Sequence, residues 1–514
     1  MTQQMPLSRG SDAFPDTQPR TGARREHALS GQLGVWTVVC FSLGGAAPLM
    51  VLAGVVTTGV AVTGLLGISL AFVLVAAILW IFFLRIRRHG RAHWVRGGLY
   101  SLIAQGWSKQ VGVGAAQLAT LSYNFLQVGL YGVVASAADP LAEQFLGVSF
   151  PWWAWAYLAL IGVAVLGQMK VDVNGRVMAV LMGAEILVMV IYSLAFVADP
   201  GPEGVVFTTF SGAGFFGAGG AILIAMGMLG NVGFEQSVIY SEESKDREHT
   251  VRSATFITIG LVGLLYAAGS WALSVAVGPT SFVKAAGQEG PGLLFGQAAA
   301  RFGSFGTVAA NVGSVLFLTS ILAAFLSFHN ATARYMFALG RERLLPAPLG
   351  YTSSRSAPWV ASLVQSCIGF VVITVYAVAG WDPVVQLFYW LGTLGGLGVL
   401  SLLVLTSVTM LCYFVRTPDH GHGAFTAYVS PVASFLVLIA VLVGALNNVP
   451  ALLGVPEGHP LTWVVPAALV GTLVLGIAWA NVLRVRRPDI YLYIGLGPRR
   501  SAARAANAVT DRLR

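Results

Sequence analysis

Few groups in this chain could do chemistry, and the most isolated is Glu185. It stands in Met182-Gly183-Ala184-Glu185-Ile186-Leu187, with apolar residues for about two helical turns on either side. An ionisable group embedded in hydrocarbon is costly, so function is the default reading. A lone carboxyl in such a place suits the uptake and release of a proton. The alternative is a hydrogen-bonded glutamate that only fixes helix packing. Glu235, in Gly233-Phe234-Glu235 at the inner end of an apolar run, is the second such acid. It is expected either to bond freed backbone and gate a path, or to act as a structural cap.

A second kind of chemistry lies in the backbone. Ser42-Leu43-Gly44-Gly45-Ala46-Ala47-Pro48 and Gly227-Met228-Leu229-Gly230-Asn231-Val232-Gly233 each interrupt an apolar run. Proline lacks an N–H and displaces the carbonyl four residues earlier, while glycine adopts conformations that other residues resist. Freed N–H and C=O groups inside a bilayer are tolerable only where they line a cavity. Half-helix N-termini favour a carboxylate and unwound carbonyls an ammonium group, so the pair is shaped for a zwitterionic amino acid. The expected substrate contacts are Ser42, Gly44, Gly45, Ala46, Leu229, Gly230 and Asn231, with Tyr123 as a lid. Gly392, Gly395, Gly396 and Gly398 read instead as packing glycines that let membrane helices approach. Arg334 is either a sensor at an inner gate or a snorkelling arginine.

The elements that hold these groups must be membrane helices. Of the 514 residues, 56% are hydrophobic and 10% charged, against roughly 25% charged in a soluble domain. A spanning helix needs about 20 mostly apolar residues. Twelve runs qualify, near 33–57, 65–84, 104–135, 152–169, 176–198, 216–240, 254–278, 304–337, 358–380, 384–415, 428–447 and 461–483. They do not alternate as barrel strands do, so the expected fold class is an all-α integral membrane protein of twelve transmembrane helices. The two interrupted spans are the first and the sixth. That divides the chain into five-helix repeats, about 33–198 and 216–415, with extra helices over about 428–483. An odd number of crossings per repeat forces the second copy to be inverted.

Cations retained on the cytoplasmic side set the orientation. With both termini inside, Lys170, Arg176, Lys245, Arg247, Arg341, Arg416 and Arg484 all fall there. The opposite loops carry only Lys284 and Arg301 among Asp139, Glu143, Asp199, Glu203, Glu289, Asp382 and Glu457. The net charge of +9 is therefore a topology signal of a multi-pass protein of the cytoplasmic (plasma) membrane, not a nucleic-acid footprint. Residues 1–32 are expected to form a disordered cytoplasmic tail with no signal peptide. Residues 484–514 are expected to form a basic tail against the anionic inner leaflet. Glu242 and Glu243 are expected to answer arginines in surface pairs that contribute little. Cys40, Cys367 and Cys412 fall inside spans without metal-ligand spacing. With no clustered catalytic set and no nucleotide-binding loop, no enzyme, metal site, cofactor or ATP-driven pump is expected.

Two stretches carry a family likeness: Gly233-Phe234-Glu235 followed by Ser241-Glu242-Glu243-Ser244-Lys245, and Asn330-Ala331-Thr332-Ala333-Arg334-Tyr335 continuing through Gly340-Arg341-Glu342 to Leu345-Pro346. They resemble the GFE…EE and NA-x-SR…LP elements of the amino acid–polyamine–organocation (APC) permeases, over roughly residues 33–483. The resemblance implies the leucine-transporter-like five-plus-five inverted repeat with two extra helices. It also implies secondary-active movement of amino acids or related amines by alternating access around unwound helices one and six. Ala46-Ala47-Pro48 departs from the usual GSG, and Glu185 stands where several proton-coupled relatives carry a lysine. The leading expectation is a proton-coupled amino acid symporter; Thr319, Ser320 and Ser327 leave sodium as an alternative coupling ion. A polyamine or organic amine permease, an amino acid exchanger and a transporter-like nutrient sensor without flux are the alternatives.

Overall fold

The computed structural model describes residue 29 and residues 33–89, 98–213, 215, 217–353, 357–416 and 429–496; most of what was expected of the two tails lies outside them. Among the described residues the fold is all-helical, 83% helix without strands, apart from a single parallel bridge between Leu33 and Ser244. Among the described residues nine helices are long and apolar enough to cross a membrane, and Ile68–Phe83, Trp152–Gly167 and Pro431–Asn447 are shorter apolar helices. Together they follow the apolar runs of the sequence one for one.

The first span is broken. Helix α1 (Val35–Ala46) stops at Ala47, whose backbone is left-handed at φ 45°. Helix resumes at Pro48–Met50, widens into a π-turn over Val51–Val55 and ends in α2 (Val56–Thr63). The sequence suggested unwinding across Ser42–Pro48; the structure confines it to one residue. Ser42 to Ala46 stay helical because the chain keeps finding carbonyls, down to Ala47 N on Leu43 O at 2.9 Å. Only Pro48, lacking a donor, forces the discontinuity.

There follow α3 (Ile68–His89), α4 (Leu99–Gly106), α5 (Lys109–Gly129), α6 (Val134–Leu146), α7 (Trp152–Gly167) and α8 (Val171–Ala198). The long run at 104–135 resolves into several pieces because Ser108 caps α5, its hydroxyl accepting from Val111 N at 3.2 Å. Helix α8 shows why a nearly all-apolar helix still has two faces. Val180, Leu187 and Leu194 point outward at seven-residue spacing, while Met178, Met182, Glu185, Met189 and Tyr192 form the buried stripe. Glu185 thus faces protein, not lipid.

The sixth span is broken more widely. Helix α9 (Ala218–Asn231) opens over 232–235 before the short α10 (Gln236–Ile239). Among the helices that follow are α11 (Arg247–Val277), α12 (Gly306–Arg341), α13 (Trp359–Ala379), α14 (Trp390–Arg416), α15 (Ser430–Asn447), α16 (Val449–Leu453) and α17 (Leu461–Arg486). The two broken spans lie at the centre: 78% and 83% of their apolar stretches are buried, against 17% for α17. They run antiparallel and touch at their breaks, where a Cβ on Gly233 (φ 126°) would sit 2.6 Å from Ala46 N. Leu33 N donates to Glu243 O at 3.0 Å and Lys245 N to Leu33 O at 3.1 Å, joining the start of the first span to the end of the sixth. Residues 488–496 fold back onto this same end rather than trailing away. Gly495 N donates to Glu342 Oε2 at 3.1 Å, and Ser101 Oγ to Gly495 O at 3.1 Å.

Candidate functional site

A cavity of about 370 Å³ opens where the two breaks meet, within the range of small-molecule sites. Gly45, Ala46, Gly230 and Val232 form its floor. From there it runs toward the end of the bundle that carries α16, walled by Val51, Val55, Met226, Leu229, Phe388, Tyr389, Gly392 and Thr393. Among the described residues, no Asp, Glu, Lys, Arg or His lines it.

Of the contacts expected from the sequence, Gly45, Ala46, Leu229 and Gly230 line this cavity, whereas Ser42, Gly44, Tyr123 and Asn231 do not. Each absence has a local cause. Gly44 is turned to Met178 of α8. Asn231 donates its amide to Gly227 O at 2.8 Å, one turn back in its own helix, and its side chain is buried outside the cavity. Ser42 is wholly buried in the core. Tyr123 lies off the cavity because its hydroxyl donates to Glu235 Oε1 at 2.6 Å and its ring stacks on Tyr335 at 5.2 Å.

Gly392, Thr393 and α16 were not foreseen as lining. Of the four glycines read as packing, Gly395 meets Leu126, Gly396 meets Leu229 and Gly398 meets Ser122; a Cβ on Gly392 would meet nothing within 4 Å. The contribution of α16 had no signal in sequence, being a five-residue helix in a loop. It is pinned to α14 by Trp390 Nε1 on Leu453 O at 3.2 Å and Thr393 Oγ1 on Leu452 O at 3.4 Å.

Both breaks are capped from within. Gly233 N donates to Glu235 Oε2 at 2.9 Å, so Glu235 sits in the break itself and not at the end of the span. Leu49 N, just past Pro48, donates to Glu185 Oε2 at 3.4 Å, and Met50 N to Ser320 Oγ at 3.3 Å. The donors expected to receive a substrate carboxylate are therefore held by the chain's own glutamates, a placement that the partial positive charge of a helix N-terminus favours. Tyr266 ties the breaks together, its hydroxyl 2.6 Å from Ala46 O and 3.3 Å from Gly230 O.

Toward the opposite end the two broken spans and α12 are joined by polar contacts. Ser327 Oγ lies 2.6 Å from Gln236 Oε1 and 2.8 Å from Phe41 O. Beyond it Arg334 grips Glu243 in two bonds of 2.6 and 2.9 Å and stacks 4.6 Å over the Tyr240 ring. Arg341 Nη2 donates to Glu242 at 2.8 Å. The first pair is buried and the second partly buried, which corrects the expectation of weak surface pairs, and Arg334 does not snorkel. The carboxylates follow the sixth span and the arginines sit on α12, so their meeting depends on tertiary packing that spacing along the chain cannot reveal.

Residues 33–475 match the family model described as amino acid permease. Among curated proteins none matches the chain significantly.

Proposed function

The chain belongs to the amino acid permeases of the APC superfamily, transporters and not enzymes, and from that premise we propose a proton-coupled amino acid symporter of the cytoplasmic membrane. The family moves amino acids or related organic cations, and the chain is a multi-pass membrane protein. In the proposed reading it crosses twelve times as two inverted five-helix repeats plus two helices, with the basic end cytoplasmic. The antiparallel course of the two broken spans supports the inversion. Substrate enters the cavity at the breaks from the α16 side, and alternating access follows when the contacts on the Glu243 side part.

The observation that carries the coupling is the bond from Leu49 N to the buried Glu185. An ionised carboxylate accepts this N–H in a charge-assisted bond. A proton on Glu185 removes that assistance and loosens the second half of the broken span from α8. Proton arrival and helix movement are then one event. Glu185→Gln, reconstituted in liposomes, should lose accumulation driven by an imposed pH gradient yet keep substrate exchange at equal pH. Undiminished proton-driven accumulation would remove Glu185 from the coupling; dependence on a sodium gradient would move it to the Thr319–Ser320 hydroxyls.

A second reading has one specific observation in its favour. Because Glu185 and Glu235 already hold N–H donors at both breaks, an organic amine lacking a carboxylate would fit without displacing either. Competition between an amino acid and its decarboxylated amine for the same uptake distinguishes the two.

A further inference from the structure

We infer that the cavity selects neutral amino acids with bulky apolar side chains, and that Gly392 sets the largest side chain admitted. This rests on the transport reading above and narrows it to a substrate class.

The walls argue against charge. None of the described lining residues carries a charge at neutral pH, so a lysine-like, glutamate-like or polyamine substrate would bury a charge without a partner, which is strongly disfavoured. The few polar groups are occupied or weakly disposed. Thr393 is directed to Leu452 O, and the hydroxyls of Thr58 and Tyr389 lie 3.5 Å apart. What remains is Val51, Val55, Met226, Leu229 and Phe388, an apolar surface in which methionine adapts to different shapes. Each methylene transferred from water to such a surface gains about fourfold in affinity, from about 0.8 kcal/mol.

Gly392 supplies the second, independent observation. The other glycines of this helix are filled by neighbouring side chains, whereas the space beside Gly392 is the cavity itself. On its other side the helix is held close to α5, where a Cβ on Gly129 would lie 3.3 Å from Gly392 N. The backbone at Gly392 therefore has little room to retreat from α5, and any side chain added there projects into space that the substrate uses.

The full-length protein in liposomes, under a pH gradient, is offered labelled leucine, phenylalanine, alanine, lysine, glutamate and putrescine. Leucine and phenylalanine should exceed alanine by at least about tenfold in uptake efficiency, and the charged compounds should not enter. Gly392→Leu should abolish phenylalanine and leucine uptake while retaining alanine uptake, and Gly392→Ala should lower the leucine-to-alanine ratio. Retained alanine uptake shows that a variant is folded; if Gly392→Leu is not, the ratio in Gly392→Ala decides. Preferred uptake of lysine, glutamate or putrescine overturns the substrate class and leaves the transport reading standing. An unchanged ratio in the folded variants overturns the role of Gly392. Uptake of none of the six, with none of them bound, overturns the transport reading itself.

Discussion

Tyr123 and Glu235 lie 112 residues apart in sequence and share a 2.6 Å hydrogen bond in a fully buried setting. Removing one partner of such a bond strands the other, at a cost of about 1–3 kcal/mol. Tyr123→Phe should therefore lower stability by that amount, read as a shift in thermal unfolding in detergent. Because Tyr123 does not line the cavity, substrate affinity should change little; a large loss of affinity with unchanged stability would contradict the assignment. At this scale the sequence was partly legible. Glu185 is conspicuous because apolar residues flank it, and Glu235 because it follows a helix-breaking glycine. Their partners were not legible. Leu49, Tyr123 and Ser320 come from distant helices, and nothing in local composition marks a residue as the one that a carboxylate will find.

At the scale of the element, the two breaks were visible as glycine clusters and Pro48, but their extents were not. Which residues leave the helix depends on which carbonyls remain reachable: one residue in the first span, four in the sixth. The cost also differs. Ala47 is held in a left-handed conformation that costs an L-residue about 1–2 kcal/mol, whereas Gly233 adopts its positive φ freely. Ala47→Gly should be neutral to about 1 kcal/mol stabilising, the relief of strain offset by glycine's greater unfolded freedom. Gly233→Ala should fail, because its Cβ would press on the Ala46 and Gly45 backbone at 2.6 Å. Loss of a cooperative thermal transition and of transport in that variant alone checks the contrast; equal tolerance of both changes would mean that the breaks do not touch.

For the molecule as a whole, the apolar runs read from sequence correspond to the helices found, because length and hydropathy alone determine which segments suit a bilayer. The ion pairs at the Glu243 end were misread, because whether a charge is surface or buried is decided by what packs around it. The structure buries Arg334 against Glu243, and removing one member of such a pair costs about 3–5 kcal/mol. Arg334→Ala should accordingly lower the unfolding temperature strongly, while the double change Arg334→Met with Glu243→Leu should recover most of the loss. Arg487→Ala, breaking the exposed pair with Asp489, should leave it unmoved. Equal effects from the buried and the exposed pair would contradict the packing described.

The short bridge at Leu33 has a mechanical consequence. Its two bonds couple the start of the first span to the segment leaving the sixth, with Glu243 between them already gripped by Arg334. A pull applied upstream of Leu33 is therefore shared among both broken spans and α12 before it reaches α1 alone. Whatever is tethered to the N-terminal segment therefore holds a lever on this end of the bundle: tension that parts two backbone hydrogen bonds would tug on the Arg334–Glu243 pair as well.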